Sequence, residues 1–262
     1  MARPLIALLT DFGLRDHYVG TMKGVVLGIC PEATLVDISH DVVPQDVRDG
    51  ALELAAAYRY FPAGTIFLVV VDPGVGSSRR AVVADAGDYR FVAPDNGVLS
   101  IVFDQAPPRL AVELTNRTYA RPTISKTFEG RDRFAPAAAW LANGIPLASF
   151  GPEAAALVRL DIPRPRAIDG GIDGEVLRVD RFGNLITNID DAMLAGMSGA
   201  LTVGVGSREI PRVVSTYADV AQGELCALVG SSDRLEIAVH GGSAAATLGV
   251  GRGAVVQLRR SA

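Results

Sequence analysis

Cysteine and histidine are scarce in this sequence, which contains two cysteines and three histidines among 262 residues. Cys30 and Cys226 lie far apart, and neither belongs to a Cys-x-x-Cys motif or to a cluster of cysteine and histidine. This spacing argues against a disulfide framework and against a structural zinc site. We therefore expect two buried thiols. His17 and His40 are expected to be polar loop residues rather than metal ligands.

Excess positive charge and long apolar runs are also missing. The chain has 25 basic and 29 acidic residues, a net charge of −4 and no block of like charges, which argues against an extended nucleic-acid surface. No apolar run approaches the roughly 18 residues of a membrane-spanning helix, and the run Leu5–Leu9 is too short for a signal-peptide core. We expect a cytoplasmic protein that binds neither nucleic acid nor membrane, with a small polar or cationic ligand.

Two common enzyme motifs are absent as well. The sequence contains neither the His-Glu-x-x-His motif of zinc proteases nor the Gly-x-x-x-x-Gly-Lys-Ser/Thr motif of phosphate-binding loops. The chemistry must therefore come from other residues.

Strand and helix patterns alternate through the first half of the chain. Apolar runs predict strands at Leu5–Leu9, Thr34–Ile38, Ile66–Val71, Ala81–Ala84, Arg90–Ala93 and Leu110–Glu113. Helical spacing predicts helices over Tyr18–Cys30, from a cap at Asp46 to Tyr60, and from Asp132 or Arg133 to Ala142. This alternation is typical of a mostly parallel α/β sheet.

The pattern changes after the proline-rich step Ile162–Pro165, where we place a boundary between domains 1–163 and 164–262. Short strands separated by glycine turns follow at Gly174–Val179, Asn184–Ile189, Ala200–Val205, Glu224–Val229, Leu235–Val239 and Ala254–Leu258. Such spacing favours a small β-barrel or sandwich. The sequence thus predicts an α/β domain followed by a smaller, all-β, barrel-like domain.

The segment from Val69 to Arg80 joins a buried strand to an acid, a turn and two arginines. Parallel sheets bind ligands at the carboxyl ends of such strands, where Asp72 stands. The turn that follows contains proline and glycine, so Arg79 can fold back toward Asp72. Two interpretations remain open: a functional site, or a surface ion pair of little energetic value.

The ends of the first two predicted strands also carry acids, Asp11 with Asp16 and Asp37 with Asp41. In a parallel sheet these strand ends converge on one crevice, where carboxylates can hold a metal, a sugar diol or a cation. The alternative for each acid is a helix cap or a turn.

The segment Thr127–Pro136 alternates in charge within apolar surroundings. Asp132 is expected to cap the following helix, with Arg131 in a structural role. Glu129 precedes the small Gly130 and is expected to project into the crevice.

The segment Asp180–Ile189 opens the second half with further polar side chains. Phe182 and Asn184 can stack on a purine and hydrogen-bond to it; the alternative is a β-turn that happens to contain asparagine.

Together these segments resemble the S-adenosylmethionine hydrolase (adenosine-forming) family, whose relatives include fluorinases and chlorinases. The match extends over nearly the whole chain in the family's order, through Leu9–Gly13, Asp37–His40, Val71–Gly76, Ala93–Gly97, Gly130–Asp132 and Asp180–Asn184. The resemblance implies an α/β domain, a barrel-like domain and a homotrimer that binds S-adenosylmethionine where one subunit's first domain meets a neighbour's second. It implies neither a metal nor a separate cofactor.

The resemblance also implies roles for individual residues. Asp11 matches the acid that holds the ribose hydroxyls, and Asp72 and Arg79 match two members of an Asp, Arg, His set. Glu129 stands where the family usually has the histidine. Further substrate contacts are implied at Asp16, Phe128 and Gly130. Phe182 and Asn184 are implied to contact the adenine, and Asp180 and Ser231 the amino acid moiety. Ser232 stands where halogenating relatives have an arginine.

The implied reaction is attack of water on the ribose C5′ of S-adenosylmethionine, which yields adenosine and L-methionine. The leaving thioether is neutral and needs no acid. Asp72 would orient the water or accept its proton, Arg79 would keep that carboxylate charged, and Glu129 would be a second acceptor or a water anchor.

Three alternatives stay open. A halogenase of the same family is disfavoured, because its members carry an aromatic residue in place of Asp72, although Gly130 leaves room for a halide. A carboxylate about 4 Å from a halide opposes its binding by roughly 4 kcal/mol at an effective dielectric near 20. A metal-dependent phosphatase or nucleotidase would use Asp11, Asp37 and Asp72 as ligands. A non-catalytic binder of adenosine or S-adenosylmethionine would need only the recognition residues.

Overall fold

A six-stranded sheet forms the centre of the first part of the computed structural model, which describes residues 3–197 and 199–260. The chain divides into two compact units, the first ending at Asp161 and the second beginning at Ile162. In the first unit the strands are β1 (Leu5–Thr10), β2 (Thr34–Ser39), β3 (Ile66–Val70), β4 (Ala81–Ala86), β5 (Tyr89–Pro94) and β6 (Pro108–Glu113). Its helices are α1 (Tyr18–Ile29), α2 (Val47–Ala57), α3 (Ser100–Gln105) and α4 (Ala135–Ala142).

The strand order in this sheet is β2-β1-β3-β5-β4-β6. Strands β2, β1, β3 and β5 are mutually parallel, and β4 runs antiparallel to both of its neighbours. The predicted mostly parallel α/β sheet is therefore confirmed. Helix α3 was not predicted, because its six residues are too few to establish a helical period.

Both faces of this sheet are covered. Successive side chains of a strand point to opposite faces, so Ile6 and Leu8 of β1 join one apolar cluster while Ala7 and Leu9 join the other. The first cluster contains residues of α1 and α4, and the second contains residues of α2 and α3. Every residue of β3 is buried. The continuous apolar run from Ile66 thus has the two-sided burial that the sequence predicts, and it fixes the end of β3 firmly.

The second unit is a nearly closed, barrel-like sheet with two short helices, α5 (Asp191–Ala195) and α6 (Ala244–Leu248). Its strands are β7 (Arg166–Ile168), β8 (Gly171–Val179), β9 (Leu185–Asp190), β10 (Leu201–Val205), β11 (Arg208–Ile210), β12 (Val213–Val214), β13 (Leu225–Val229), β14 (Arg234–Val239) and β15 (Val255–Arg260). Pairing is antiparallel except between β12 and β13. The barrel-like all-β unit is confirmed. The unpredicted strands β7, β11 and β12 are two or three residues long, too short to show alternation.

Within residues 3–197 and 199–260, none of the helices combines the length and the hydropathy needed to span a bilayer.

Candidate active site

Three parallel strands of the first unit end at the same edge of the sheet. In the register of the sheet, Leu9 pairs with Ser39 and Thr10 pairs with Val70. Polar residues just beyond each strand therefore emerge at the same edge: Asp11 directly after β1, His40 directly after β2, and Asp72 two residues after the end of β3. The predicted convergence of polar side chains at the carboxyl ends of the strands is present.

Arg79 connects the strand end at Asp72 to Glu129. Its Nε lies 2.9 Å from both carboxylate oxygens of Asp72, and its Nη2 donates to Asp72 Oδ2 and, at 2.6 Å, to Oε2 of Glu129. The guanidinium carbon lies 5.2 Å from the ring centre of Phe134. One arginine thus holds two carboxylates in fixed orientations, with an aromatic ring beneath it.

This cluster is buried. The side chains of Asp72, Arg79 and Glu129 are 5%, 10% and 9% exposed, so the interpretation as a surface ion pair is wrong. Burial opposes the charge of Arg79, but its hydrogen bonds to Asp72 and Glu129 outweigh burial and raise the pKa of the guanidinium above its ordinary value. The Nε of Arg133 lies 3.9 Å from Oε2 of Glu129, so a second arginine stands beside the two carboxylates, in a place where water is largely excluded.

The turn after Asp72 brings the two carboxylates together. Gly76 has φ +77°, and a Cβ on it would lie 2.3 Å from the carbonyl oxygen of Lys126. Only glycine allows this approach, which places the turn against the segment that leads to Glu129. The Oγ of Ser77 donates to the Gly74 carbonyl at 2.6 Å and accepts from the Arg79 N–H at 3.2 Å, so the arginine leaves the turn in a defined direction.

The two adjacent arginines have different partners. Whereas Arg79 turns toward Glu129, Arg80 donates to Asp95 through Nε at 2.9 Å. Next to Asp95, the Asn96 amide donates to the carbonyl of Val71 at 2.8 Å. The Ala93–Gly97 segment therefore supports the strand end that carries Asp72 and keeps the second arginine away from it.

Glu129 immediately precedes a π-helical turn, Gly130–Phe134, which continues into α4. Such turns are rare and occur often at functional sites. The expected helix cap at Asp132 is wrong. Asp132 is fully buried and accepts from the Ser125 N–H at 2.8 Å and from Arg131 at 2.7 Å, so it anchors the chain leading to Glu129 instead.

Asp11 lies beside this cluster with its carboxylate partly buried. Its Oδ2 accepts a 2.7 Å hydrogen bond from the backbone N–H of Gln45. Burial raises the pKa of Asp11, the Gln45 bond lowers it, and the negative charge of Asp72 raises it further, so that the pKa is above its ordinary value. The first and third strand ends thus lie close enough for the charge of Asp72 to act on Asp11.

Aromatic rings line the same edge of the sheet. Phe128 makes edge contacts with Phe12 at 6.1 Å and with Tyr18 at 5.0 Å between ring centres. A Cβ on Gly130 would lie 3.1 Å from Met22 Sδ and 3.4 Å from Phe128, so a larger residue there would displace these rings. Phe12 and Tyr18 were not singled out as site residues from the sequence. Asp16 is exposed in the loop between β1 and α1.

His40 is the residue that sequence reasoning placed least well. It is 4% exposed rather than a polar loop residue. Its Nδ1 lies 2.8 Å from Thr10 Oγ1, and its Nε2 lies 3.0 Å from Oδ1 of Asp37. Burial raises the pKa of Asp37, but Lys23, which donates at 2.6 Å, and the adjacent His40 ring outweigh it and hold that pKa below its ordinary value.

In the second unit, Asp180 organises a tight turn. Its Oδ1 accepts from the N–H groups of Phe182 and Asn184 at 2.9 and 2.8 Å, and its Oδ2 accepts from the Asn184 amide at 3.1 Å. Gly183, at φ +85°, packs so closely that a Cβ would lie 2.0 Å from Ser243 Oγ. The turn leaves Phe182 76% exposed and buries Asn184. The alternative of a β-turn is realised, and it presents an aromatic ring to solvent.

Ser231 is exposed in the turn between β13 and β14. Beside this turn, Glu236 is buried and accepts a 2.6 Å hydrogen bond from the Tyr217 hydroxyl. Burial raises the pKa of Glu236, the Tyr217 bond lowers it, and the charge of Asp180 raises it further, to a net increase. Sequence reasoning missed this acid because it occupies one position in an otherwise ordinary strand pattern.

The strand-end acids do not form a metal-ligand set. Asp37 is paired with Lys23 at 2.6 Å, and Asp72 is paired with Arg79. In the described parts of the chain, no group of three or more histidine, cysteine, aspartate or glutamate side chains is arranged to hold a metal ion.

These features define the class of protein. Its first unit is an α/β domain with a buried Asp–Arg–Glu cluster at the strand ends, and its second unit is a barrel-like domain with a polar turn. The family models of the SAM hydroxide adenosyltransferase N-terminal and C-terminal domains match residues 6–151 and 174–257, so the chain belongs to this family.

Relatives of known name are similar over most of the chain. An (R)-S-adenosyl-L-methionine hydrolase of Salinispora tropica is 45% identical, covering 94% of both chains. A fluorinase of an Actinoplanes species is 32% identical, covering 84% of this chain and 85% of the fluorinase. The crystal structure of an uncharacterised conserved protein from Thermotoga maritima is 41% identical and superposes with a TM-score of 0.92, covering 97% of this chain and all of the other.

Asp11 generates a prediction about stability. Folding raises the pKa of Asp11 above its ordinary value of 3.8. At a pH between the ordinary pKa and the folded-state pKa, the folded state therefore binds more protons than the unfolded state. The free energy of unfolding falls as the pH rises through this range. We expect Asp11→Asn, which keeps an oxygen for the Gln45 N–H, to raise the free energy of unfolding at pH 7. That gain should vanish as the pH falls to about 4.

Urea unfolding of the wild type and the variant between pH 4 and pH 8 measures this effect. Asp88→Asn, which changes an exposed acid of the same unit, is the control and should leave the stability unchanged. An Asp11→Asn variant that is less stable than the wild type at pH 7 would show that burial of Asp11 does not disfavour its charge.

Proposed function

We propose that this protein hydrolyses S-adenosyl-L-methionine to adenosine and L-methionine by attack of water on the ribose C5′. The observation that carries the proposal is the buried cluster in which Arg79 holds Asp72 and Glu129. Support also comes from membership of the SAM hydroxide adenosyltransferase family and from the hydrolase relative at 45% identity.

The proposed reaction needs few functional groups from the protein. The sulfonium leaves as a neutral thioether, so the leaving group needs no proton, and the bond that forms is between water oxygen and C5′. The protein must hold one water in line with the C–S bond and accept the proton that this water loses. A fixed pair of buried carboxylates suits both tasks. Asp72 is the proposed orienting group and proton acceptor, and Glu129 anchors the water in place of the family's histidine.

The remaining residues are assigned to substrate recognition. Asp11 holds the ribose hydroxyls, Asp16 contacts the methionine part, and Phe128 and Gly130 pack against the substrate. In the second unit, Phe182 and Asn184 bind adenine, while Asp180 and Ser231 bind the amino acid moiety. The exposed ring of Phe182 supports this assignment, because an aromatic side chain that is 76% exposed is available for stacking.

Hydrolysis suits the cluster better than halogenation. A halide would stand beside the carboxylates of Asp72 and Glu129, which repel an anion, whereas neutral water meets no such repulsion. The fluorinase relative is correspondingly more distant, at 32% identity against 45% for the hydrolase.

We also propose that the two units are the domains of a homotrimer and that each site forms between neighbouring subunits. In this arrangement one chain supplies Asp11, Asp72 and Glu129, and its neighbour supplies the turn at Asp180. A cytoplasmic location is part of the proposal, and the two buried cysteines, which form no disulfide, suit a reducing compartment.

The activity generates the first test. Purified protein incubated with S-adenosylmethionine in the presence of EDTA should release equal amounts of adenosine and methionine, as followed by chromatography. Asp72→Asn should lower kcat by about 10² to 10⁴, the range for loss of a positioned base. Glu129→Gln should lower it by at least about tenfold, because a neutral amide oxygen is a weaker hydrogen-bond acceptor for the anchored water than a carboxylate.

Asp85→Asn provides the matched control, since it removes the acid of an ion pair with Arg109 elsewhere in the same unit. This variant should keep the wild-type rate. If Asp72→Asn turns over at the wild-type rate, the role of Asp72 is wrong; if Glu129→Gln does so, Glu129 handles no water. A wild-type protein that releases no product would refute the hydrolase activity.

The shared site generates the second test. Asp72→Asn removes a proposed catalytic group of the first unit, and Asn184→Ala removes a proposed adenine contact of the second. Each variant alone should be nearly inactive at low substrate concentration. When the two are co-refolded, about a quarter of the sites should combine an intact first unit with an intact second unit from the neighbouring chain. Activity near that fraction of the wild type supports a site between subunits.

The same refolding protocol applied to each variant alone is the control. Sedimentation of the wild type should give the mass of a trimer. No recovery of activity in the mixture, although mixed trimers form, would place each site within a single chain.

A further inference from the structure

His40 occupies a buried position that the proposed chemistry does not use. It follows β2 directly, at the sheet edge where Asp11 emerges from β1, and it is 4% exposed. A buried polar ring is costly unless its nitrogens are satisfied. Its contacts therefore indicate what it stabilises.

Those contacts reach both ends of the loop that contains Asp11. The backbone carbonyl of His40 accepts a 2.7 Å hydrogen bond from the N–H of Gly13. Its Nδ1 lies 2.8 Å from Oγ1 of Thr10. The same hydroxyl accepts from the N–H of Phe12 at 3.3 Å. One residue thus connects the position before Asp11 with the two positions after it.

The two ring nitrogens of His40 face different neighbours. A hydroxyl can donate one hydrogen bond and accept two, so Thr10 Oγ1 can pair with Nδ1 of His40 and with the N–H of Phe12 at the same time. Nε2 of His40 lies 3.0 Å from Asp37 Oδ1 but makes no hydrogen bond of good geometry with it. Asp37 in turn accepts from Lys23 at 2.6 Å. The contact with Thr10 is therefore the side-chain hydrogen bond through which His40 acts on the loop.

Asp11 has a second tether from the same stretch of chain. The N–H of Gln45 donates to its carboxylate at 2.7 Å. Gln45 has φ +66°, a left-handed conformation that is uncommon for residues other than glycine and that persists where the surroundings impose it. The segment 40–45 thus holds both the loop and the carboxylate of Asp11.

We infer that His40 is a positioning residue that fixes Asp11 for binding the ribose of the substrate, acting through the hydroxyl of Thr10. This inference rests on the proposed function, in which Asp11 holds the ribose hydroxyls. His40 itself does not touch the reacting atoms. Its loss should weaken binding of the substrate and of adenosine alike, because ribose contacts are made in both.

Two removals test the inference. Thr10→Val deletes the hydroxyl and keeps the shape of the side chain, and His40→Ala deletes the ring. Each should raise KM for S-adenosylmethionine and Kd for adenosine by about tenfold, with a smaller change in kcat, since a uniform binding interaction is weakened. Thr10→Ser, which restores the hydroxyl, should recover most of the loss.

In an Asp11→Ala background, His40→Ala should cause no further loss of adenosine binding.

Asn143→Ala is the control for a general loss of stability. The Asn143 amide donates to the Ile29 carbonyl at 2.9 Å, joining α4 to the end of α1 that lies away from the site. This variant should lower Tm and leave KM and Kd unchanged. Thr10→Val serves as the test if His40→Ala does not fold.

The inference is overturned if folded Thr10→Val or His40→Ala binds adenosine as the wild type does, or if the two losses add fully in the Asp11→Ala background. The adenosine measurement needs no turnover. A wild-type protein that binds adenosine but releases no products would refute the hydrolase activity alone, and the binding comparison would still decide the role of His40.

Discussion

The guanidinium of Arg79, held between the carboxylates of Asp72 and Glu129, is the interaction on which the rest of the site depends. Removing Arg79 would take the shared partner from two buried carboxylates, at a cost of about 3–5 kcal/mol. The cluster also joins elements that are 50 residues apart in sequence, the turn after β3 and the π-helical turn before α4. Its geometry is therefore a joint property of both elements.

The surroundings of the cluster explain how this charge is tolerated. Strand β3 is buried on both faces and fixes Asp72, Asn96 supports the carbonyl before it, and the fully buried Asp132 anchors the approach to Glu129. Gly76 allows the two segments to meet. Each of these residues fixes the backbone that carries Asp72 or Glu129. The two carboxylates are therefore held rigidly, as the orientation of a single water requires.

Much of this arrangement could be predicted from the sequence, because its signals are local. The two-sided strand at Ile66 and the turn linking Asp72 to Arg79 are both contained within about a dozen residues. The contact of Arg79 with Glu129 is not local, and spacing alone gives no distance between them. The local pattern predicted that Glu129 faces the crevice, and only the family resemblance grouped it with Asp72 and Arg79. The burial of His40 and Glu236 was missed because a single polar residue within or just after a strand produces no periodic pattern. Asp132 was misassigned because the π-helical turn displaces the start of the helix.

The central claim is that this site directs water to the ribose carbon, and isotope labelling tests it most directly. Hydrolysis of S-adenosylmethionine in ¹⁸O-enriched water, followed by mass spectrometry of both products, shows which carbon–sulfur bond breaks and where the oxygen enters. The account predicts one ¹⁸O atom in adenosine and none in methionine. Unlabelled adenosine, or labelled products other than adenosine and methionine, would contradict it.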